Sequence, residues 1–148
     1  MGVGIVLSEL LEYNFAIAGS MIIDDNGDVN YRISVPEFKS RDHGQVYAWV
    51  IDNEVVYIGM ASKGIAKRLS EHRGGWRGGS STGILKEAQI RNELVSGRHI
   101  TIYGRTCDYF DQEVEILGKK EKVRFSLVAH EEDALLKKFQ PAWNTNGK

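Results

Sequence analysis

Near the middle of this 148-residue chain two runs, Gln45–Ile51 and Val55–Gly59, consist largely of Val, Ile and aromatic residues, with Asp52-Asn53-Glu54 between them. Runs of this kind joined by a short polar segment make a β-hairpin. Successive side chains of a strand point to opposite faces, and here both faces are apolar. The hairpin must therefore be covered on both sides. The remainder of the chain has to supply one layer above this strand pair and another below it.

The flanking sequence contains the material. Leu7–Tyr13 reads as a short helix, and Met21–Ser34 as a second hairpin around Asp25-Asn26-Gly27. Ser34–His43, with Pro36 and a string of charges, reads as a connector. Ser62 is placed to cap a helix that runs to about Arg73 with Ile65, Ala66 and Leu69 inward. A second helix over Ile84–Val95 follows, then a strand over His99–Arg105. Two more strands, Val114–Leu117 and Val123–Val128, flank the turn Gly118-Lys119-Lys120-Glu121. A last helix, Glu131–Gln140, is stopped by Pro141. The order predicts an α+β fold, a small and mostly antiparallel sheet flanked by helices. Residues 1–42 read as an N-terminal extension, and residues 43–148 as the functional domain with an insertion near 106–122.

Composition narrows the function. No apolar run is long enough to cross a membrane. Glu9 and Glu12 come too early for a signal peptide, and the single Cys107 can form neither an internal disulfide nor a zinc site. A cytoplasmic location is the expectation. The net charge is only −1, but it is unevenly spread. From Met1 to Phe38 acids predominate, whereas Lys63, Lys67, Arg68, Arg73 and Arg77 are opposed only by Glu71 between them. A neutral protein can carry a phosphate-binding face in this way.

Several side chains have positions that bear on chemistry. Arg68 and His72 are spaced i, i+4 and share a helix face, as catalytic partners or as a solvated edge. Glu132 lies three, four and seven residues before Leu135, Leu136 and Phe139, so its carboxylate is on the apolar face of the last helix, while Glu131 and Asp133 fall on the other. A half-buried carboxylate calls for a cation; a first-turn Glu favoured by the helix dipole is the alternative. Tyr47 and Tyr57 stand on the two strands of the central hairpin, as site residues or as core aromatics. Gly74–Gly83 lacks the Gly-Lys-Ser/Thr ending of a P-loop, which excludes a nucleoside triphosphatase. It reads as a flexible linker, or as a mobile loop in which Arg77 reaches DNA and Trp76 stacks or wedges. His43, His99 and His130 have no partners at zinc spacing.

These pieces resemble the GIY-YIG nucleases. Gln45-Val46-Tyr47 followed by Val56-Tyr57-Ile58-Gly59 looks like the paired motif that names them; the second half matches fully, while the first keeps its tyrosine, with Val46 for isoleucine and Gly44 one position early. Arg68 matches the family's helix arginine and His72 a histidine found in several members. Glu132, Leu136-Lys137, Pro141 and Asn144 look like its closing motif. The resemblance covers about residues 44–144 and is nearest to the compact type II restriction enzymes. It implies that Glu132 ligates one divalent ion, Mg2+ or Mn2+, and that Arg68 contacts the scissile phosphate. It further implies that Tyr47 helps activate water, that Tyr57 and His72 position or shuttle protons, and that Asn144 anchors the site from behind. Lys63, Lys67, Arg73, Trp76 and Arg77 are the expected DNA contacts, and a homodimer is one way to cut both strands. A repair- or homing-type nicking enzyme, and a catalytically weak DNA-binding module that keeps the fold, are the alternatives.

Strand parity sharpens the expectation. With a regular two-residue turn Tyr57 would pair with Ala48, and Tyr47 would face the other way. A shared site for the two tyrosines requires a three-residue loop or a bulge, with Tyr57 opposite Trp49.

Overall fold

The computed structural model describes residues 5–144. The elements are β1 (Ile5–Val6), α1 (Leu7–Leu11), β2 (Ala16–Ile23), β3 (Val29–Ile33), β4 (Gln45–Ile51), β5 (Glu54–Ala61), α2 (Ile65–Gly74), α3 (Ser81–Val95), β6 (Ile100–Thr106), β7 (Tyr109–Ile116), β8 (Lys119–Ser126) and α4 (Val128–Phe139). Six strands form one antiparallel sheet in the order β1-β5-β4-β6-β2-β3, and β7 and β8 pair apart from it. No helix among the described residues is long and apolar enough to cross a membrane. The α+β architecture is as the sequence predicts.

All seven residues of β4 are buried, because it lies between β5 and β6 and is covered on both faces. Tyr47, Trp49 and Ile51 pack with Ile65, Leu69, Trp76 and Ile90 beneath α2 and α3. Val46, Ala48 and Val50 pack with Leu10, Val128, Leu135 and Phe139 from α1 and α4. Each such apolar side chain contributes about 1.5–3 kcal/mol when taken out of water. The two layers that the hairpin demands thus come from helices on either side of it.

Within the N-terminal extension β2 pairs with β6, and Met21, Val29 and Ile33 belong to the same core as Trp49. Several local expectations are corrected. Ser62 does not cap α2. That role falls to Gly64, whose φ of 94° suits only glycine and where a β-carbon would strike the Ser40 carbonyl. The free Ile65 amide donates to Oε1 of buried Gln45 at 3.0 Å, so strand β4 itself supplies the cap. The glycine cluster makes a kinked corner between α2 and α3: the backbone leaves helical geometry at Arg77 and Gly78, the latter at φ 105°, and Ser80 caps α3 by accepting from Gly83 N–H at 2.9 Å. The turn of the last hairpin is Leu117-Gly118, one register earlier than expected.

Candidate active site

The central hairpin closes with a two-residue turn, Asp52-Asn53, both left-handed at φ 48° and 70°. The pairing then slips between Trp49 and Val50, leaving Val56 as an extra residue on β5. This bulge puts Tyr57 opposite Trp49 and Tyr47 opposite Gly59. Tyr47, Trp49 and Tyr57 therefore share one face, with ring centroids of Tyr47 and Tyr57 6.1 Å apart. Gly59 is required beside them, since a β-carbon there would overlap the Tyr47 hydroxyl.

Helix α2 crosses this face and delivers Arg68 and His72. Tyr47 Oη lies 2.6 Å from His72 Nε2. The imidazole stacks on Trp76 at 6.3 Å and meets Tyr47, Trp49 and Tyr57 edge-on. Burial among these rings, reinforced by the Arg68 charge, lowers its pKa to about 4. Burial also raises Tyr47 well above the usual phenol value, with the neighbouring Tyr57 adding to it and Arg68 opposing. With the imidazole in its Nδ1–H tautomer, Tyr47 donates and Nε2 accepts; in the other tautomer the direction reverses. Tyr57 is raised as well, by burial first.

Glu132 comes from the opposite side of the sheet. Helix α4 packs on the other face, but β5 is an edge strand beyond its short pairing with β1, and Glu132 is near enough to Arg68 and to the Met60 backbone for both to act on its pKa. Burial raises its carboxyl pKa, and Arg68 opposes the shift. Asn144 ties down the same edge: Ile58 N–H donates to its Oδ1 at 2.9 Å, and its Nδ2 donates to Ile58 O at 2.8 Å. Trp143 N–H adds a bond to the Val56 carbonyl at 2.8 Å. The chain end thus satisfies the backbone groups of the strand that carries Tyr57.

Two hollows meet at Arg68. One, of about 280 Å3, is lined by Tyr57, His72, Trp76 and Lys86; the other, of about 370 Å3, by Met60, Lys63 and Lys67. Arg68 borders both, and its Nη1 donates to Glu71 Oε1 at 3.0 Å while Lys67 Nζ meets Oε2 at 2.7 Å. Exposed pairs of this type are weak, so an incoming phosphate can take the place of Glu71.

The geometry gathers Tyr47, Tyr57, Arg68, His72 and Glu132 at one place, with Asn144 behind them, and sorts the expected DNA contacts. Lys63 and Lys67 line the hollow beside Arg68. Trp76 is only 5% exposed and is a core residue under His72, so it is not available to stack on or wedge a base. Arg73 points away, donating to Asn30 Oδ1 at 3.1 Å and lying over the Tyr31 ring at 5.1 Å. Exposed Arg77 makes no ion pair within 4.0 Å among the described residues; hydrogen bonds from the Asp28 amide and the Asn30 side chain lower the Asp24 pKa first, and the Arg77 charge adds the smallest part. Glu131 is not on the solvent side; it is half-buried and 2.8 Å from Arg105 Nε.

Sequence reasoning missed Lys86. Its Nζ donates to the Trp143 carbonyl at 2.8 Å and lies 5.0 Å from the Tyr57 ring centroid. Burial lowers its pKa, and among the described residues no carboxylate lies within 4.0 Å of it. The signal was present: Lys86, Ile90 and Leu94 are spaced by four, which places the ammonium on the inward stripe of α3.

A point mutant of bacteriophage T4 EndoII superposes with a TM-score of 0.76, at 26% identity over 95% of this chain and 99% of that one. Restriction endonuclease HPY188I, solved in complex with product DNA, superposes at 0.57, at 18% identity over 92% of this chain and 80% of that one. No family model and no curated protein matches the sequence. The fold is a nuclease fold.

Proposed function

We propose that the chain is a metal-dependent DNA endonuclease of the GIY-YIG type, a stand-alone enzyme of restriction or related kind. The observation that carries this reading is that Arg68 and His72 line two adjoining hollows with the buried Tyr47 hydrogen-bonded behind His72, while a half-buried Glu132 on a third element lies close enough to Arg68 for that charge to lower its pKa. The fold shared with T4 EndoII and with a restriction endonuclease solved in complex with product DNA supports it.

Among the described residues no three His, Cys, Asp or Glu side chains cluster as a metal cage. Glu132 stands as a lone carboxylate whose burial favours a cation beside it. That donor set fits a hard divalent ion that keeps most of its water, Mg2+ or Mn2+, and does not fit zinc. Bound there, such an ion would offset phosphate charge and make water more acidic.

The chain's own groups do the rest. Arg68 seats a non-bridging phosphate oxygen and neutralises charge as it builds. Tyr47 takes a proton from the attacking water while passing its own to His72 Nε2, which is neutral near pH 7 because its pKa is about 4. A phenol held above its usual pKa is not ionised near pH 7, and the imidazole beside it is the acceptor within reach, a weak one while burial and the Arg68 charge hold its pKa down. Tyr57 walls the hollow and Lys86 offers charge to the neighbouring phosphate.

The test is cleavage of plasmid DNA by the purified chain with Mg2+ or Mn2+, against EDTA and Glu132→Ala. Discrete, metal-dependent products that vanish in the variant are expected, with Arg68→Ala slower by about 10²–10³-fold. Wild-type protein that binds DNA from several sources but cuts none would make this a binding module instead.

A further inference from the structure

Helix α3 has an outward face that its own packing does not use. The four charged side chains of the helix are part-buried and engaged on its flanks. Lys86 donates to the Trp143 carbonyl, Arg91 pairs with Glu87 at 2.6 Å, and Glu93 pairs with Arg98 at 2.7 Å. The surface left to solvent is an uncharged stripe. Leu85, Ala88, Gln89 and Asn92 are exposed and follow the i, i+3, i+4, i+7 spacing of one helical face. Ile84 and Val95 widen it on one side; Ile84, Leu85 and Val95 are 52%, 69% and 71% exposed. A surface helix ordinarily turns its charges outward and its leucine and valine inward. Here the arrangement is reversed.

The stripe is continuous with the active site. Thr82, Gly83 and Lys86, from the first turns of the same helix, line the 280 Å3 hollow together with Tyr57 and His72. Gln89 follows Lys86 by three residues, so it stands on the edge of the stripe nearest that hollow.

We propose that this face of α3 reads base edges in the major groove of the duplex being cut. Gln89 and Asn92 are the hydrogen-bonding pair and Leu85 an apolar contact. The inference rests on the nuclease reading of the adjoining site and adds to it the residues that choose the sequence. Chemistry selects this occupant. The major groove is about 12 Å wide and admits a helix; in it a Gln or Asn amide can pair with both N6 and N7 of adenine, and an aliphatic side chain can meet the thymine methyl. The stripe carries no carboxylate to repel a polyanion. Lys63, Lys67, Arg68 and Lys86, which line the hollows, are placed to hold the duplex by its phosphates. Phosphate contacts position a duplex, whereas base contacts specify it. A protein partner fits less well, because the stripe has no aromatic, Met or Arg, the side chains enriched in protein interfaces. The face also fills the base-contacting role that Trp76, buried under His72, cannot take.

Selection of duplexes from a randomised pool, in EDTA so that binding is read without cutting, tests the proposal. Wild type should select a sequence that contains adenine. Gln89→Ala and Asn92→Ala, at exposed positions where alanine favours the helix, should each relax one position by about 5- to 150-fold, the worth of one amide–base pair. Neither variant should change the salt slope of affinity, since neither removes a charge. Replacing the selected adenine by 7-deaza-adenine should weaken wild type and leave the matching variant unaffected. A wild type that binds duplexes without preference overturns the proposal, as does an unaltered selected sequence in the Gln89→Ala/Asn92→Ala double variant. A smaller sedimenting mass in that double variant, with the selected sequence unchanged, would make the face a protein interface and overturn it too. Selection through Gln89 and Asn92 by a chain that cuts no DNA with Mg2+ would uphold the groove-reading face and remove the nuclease reading instead.

Discussion

At the scale of the residue, His72 is where environment most changes chemistry. Four aromatic rings exclude water, the Arg68 guanidinium and then the Lys86 ammonium repel a second positive charge, and Glu71 opposes them. An imidazole that titrates near 6.5 in the unfolded chain titrates at about 4 here. The unfolded chain therefore binds the extra proton first. The stability that follows from this is complete above pH 6.5 and is lost as pH falls through about 4. It amounts to at most about 3 kcal/mol. Urea unfolding between about pH 7 and 4.5 should show wild type losing stability more steeply than His72→Gln. Parallel curves would contradict a buried neutral imidazole.

At the scale of the element, β5 is the strand on which the site depends, and it is an edge. Its Val56 bulge turns Tyr57 toward Tyr47, and Gly59 leaves room for the Tyr47 hydroxyl. Its outward backbone groups are satisfied by the chain end, chiefly by the paired bonds of Asn144 to Ile58. Asn144→Ala removes both partners at once, at a cost of about 1–3 kcal/mol for part-buried groups left unbonded. A matching fall in thermal midpoint is expected together with slower cleavage, and Asn144→Asp, which keeps only the acceptor, should lie between. Normal stability in Asn144→Ala would show that water replaces the side chain and that the edge needs no anchor.

At the scale of the whole molecule, the sheet places cations along a path that no single element contains. Lys63, Lys67 and Arg68 come from the β5–α2 region, and Lys86 from α3 closes the far hollow. Asn30 on β3 holds Arg73, on the same helix as Arg68, away from that path. If the DNA backbone follows this path, Lys86→Gln should lower the slope of log affinity against log salt by about 0.9, the value of one phosphate contact. Arg73→Gln should leave the slope unchanged. Equal slopes in Lys86→Gln and wild type would remove Lys86 from the path.

The sequence by itself determined the central hairpin, both covering layers and the inward carboxylate of Glu132, because these follow from local spacing: period two in strands and near four in helices. It also determined that Tyr47 and Tyr57 could meet only through a loop or bulge, although not which. Tertiary structure decided the remainder. Trp76 is a core residue because His72 and Trp49 lie against it, and Gln45 caps a helix twenty residues away. Glycine spacing read as flexibility became a tight helical corner, since Gly83 packs on Gly75 too closely for any β-carbon. Arg73 and Glu131 left their expected places for partners distant in sequence, Asn30 and Arg105. Periodicity specifies which face a side chain takes, but the charge or ring waiting on that face is set by elements brought together only when the chain folds.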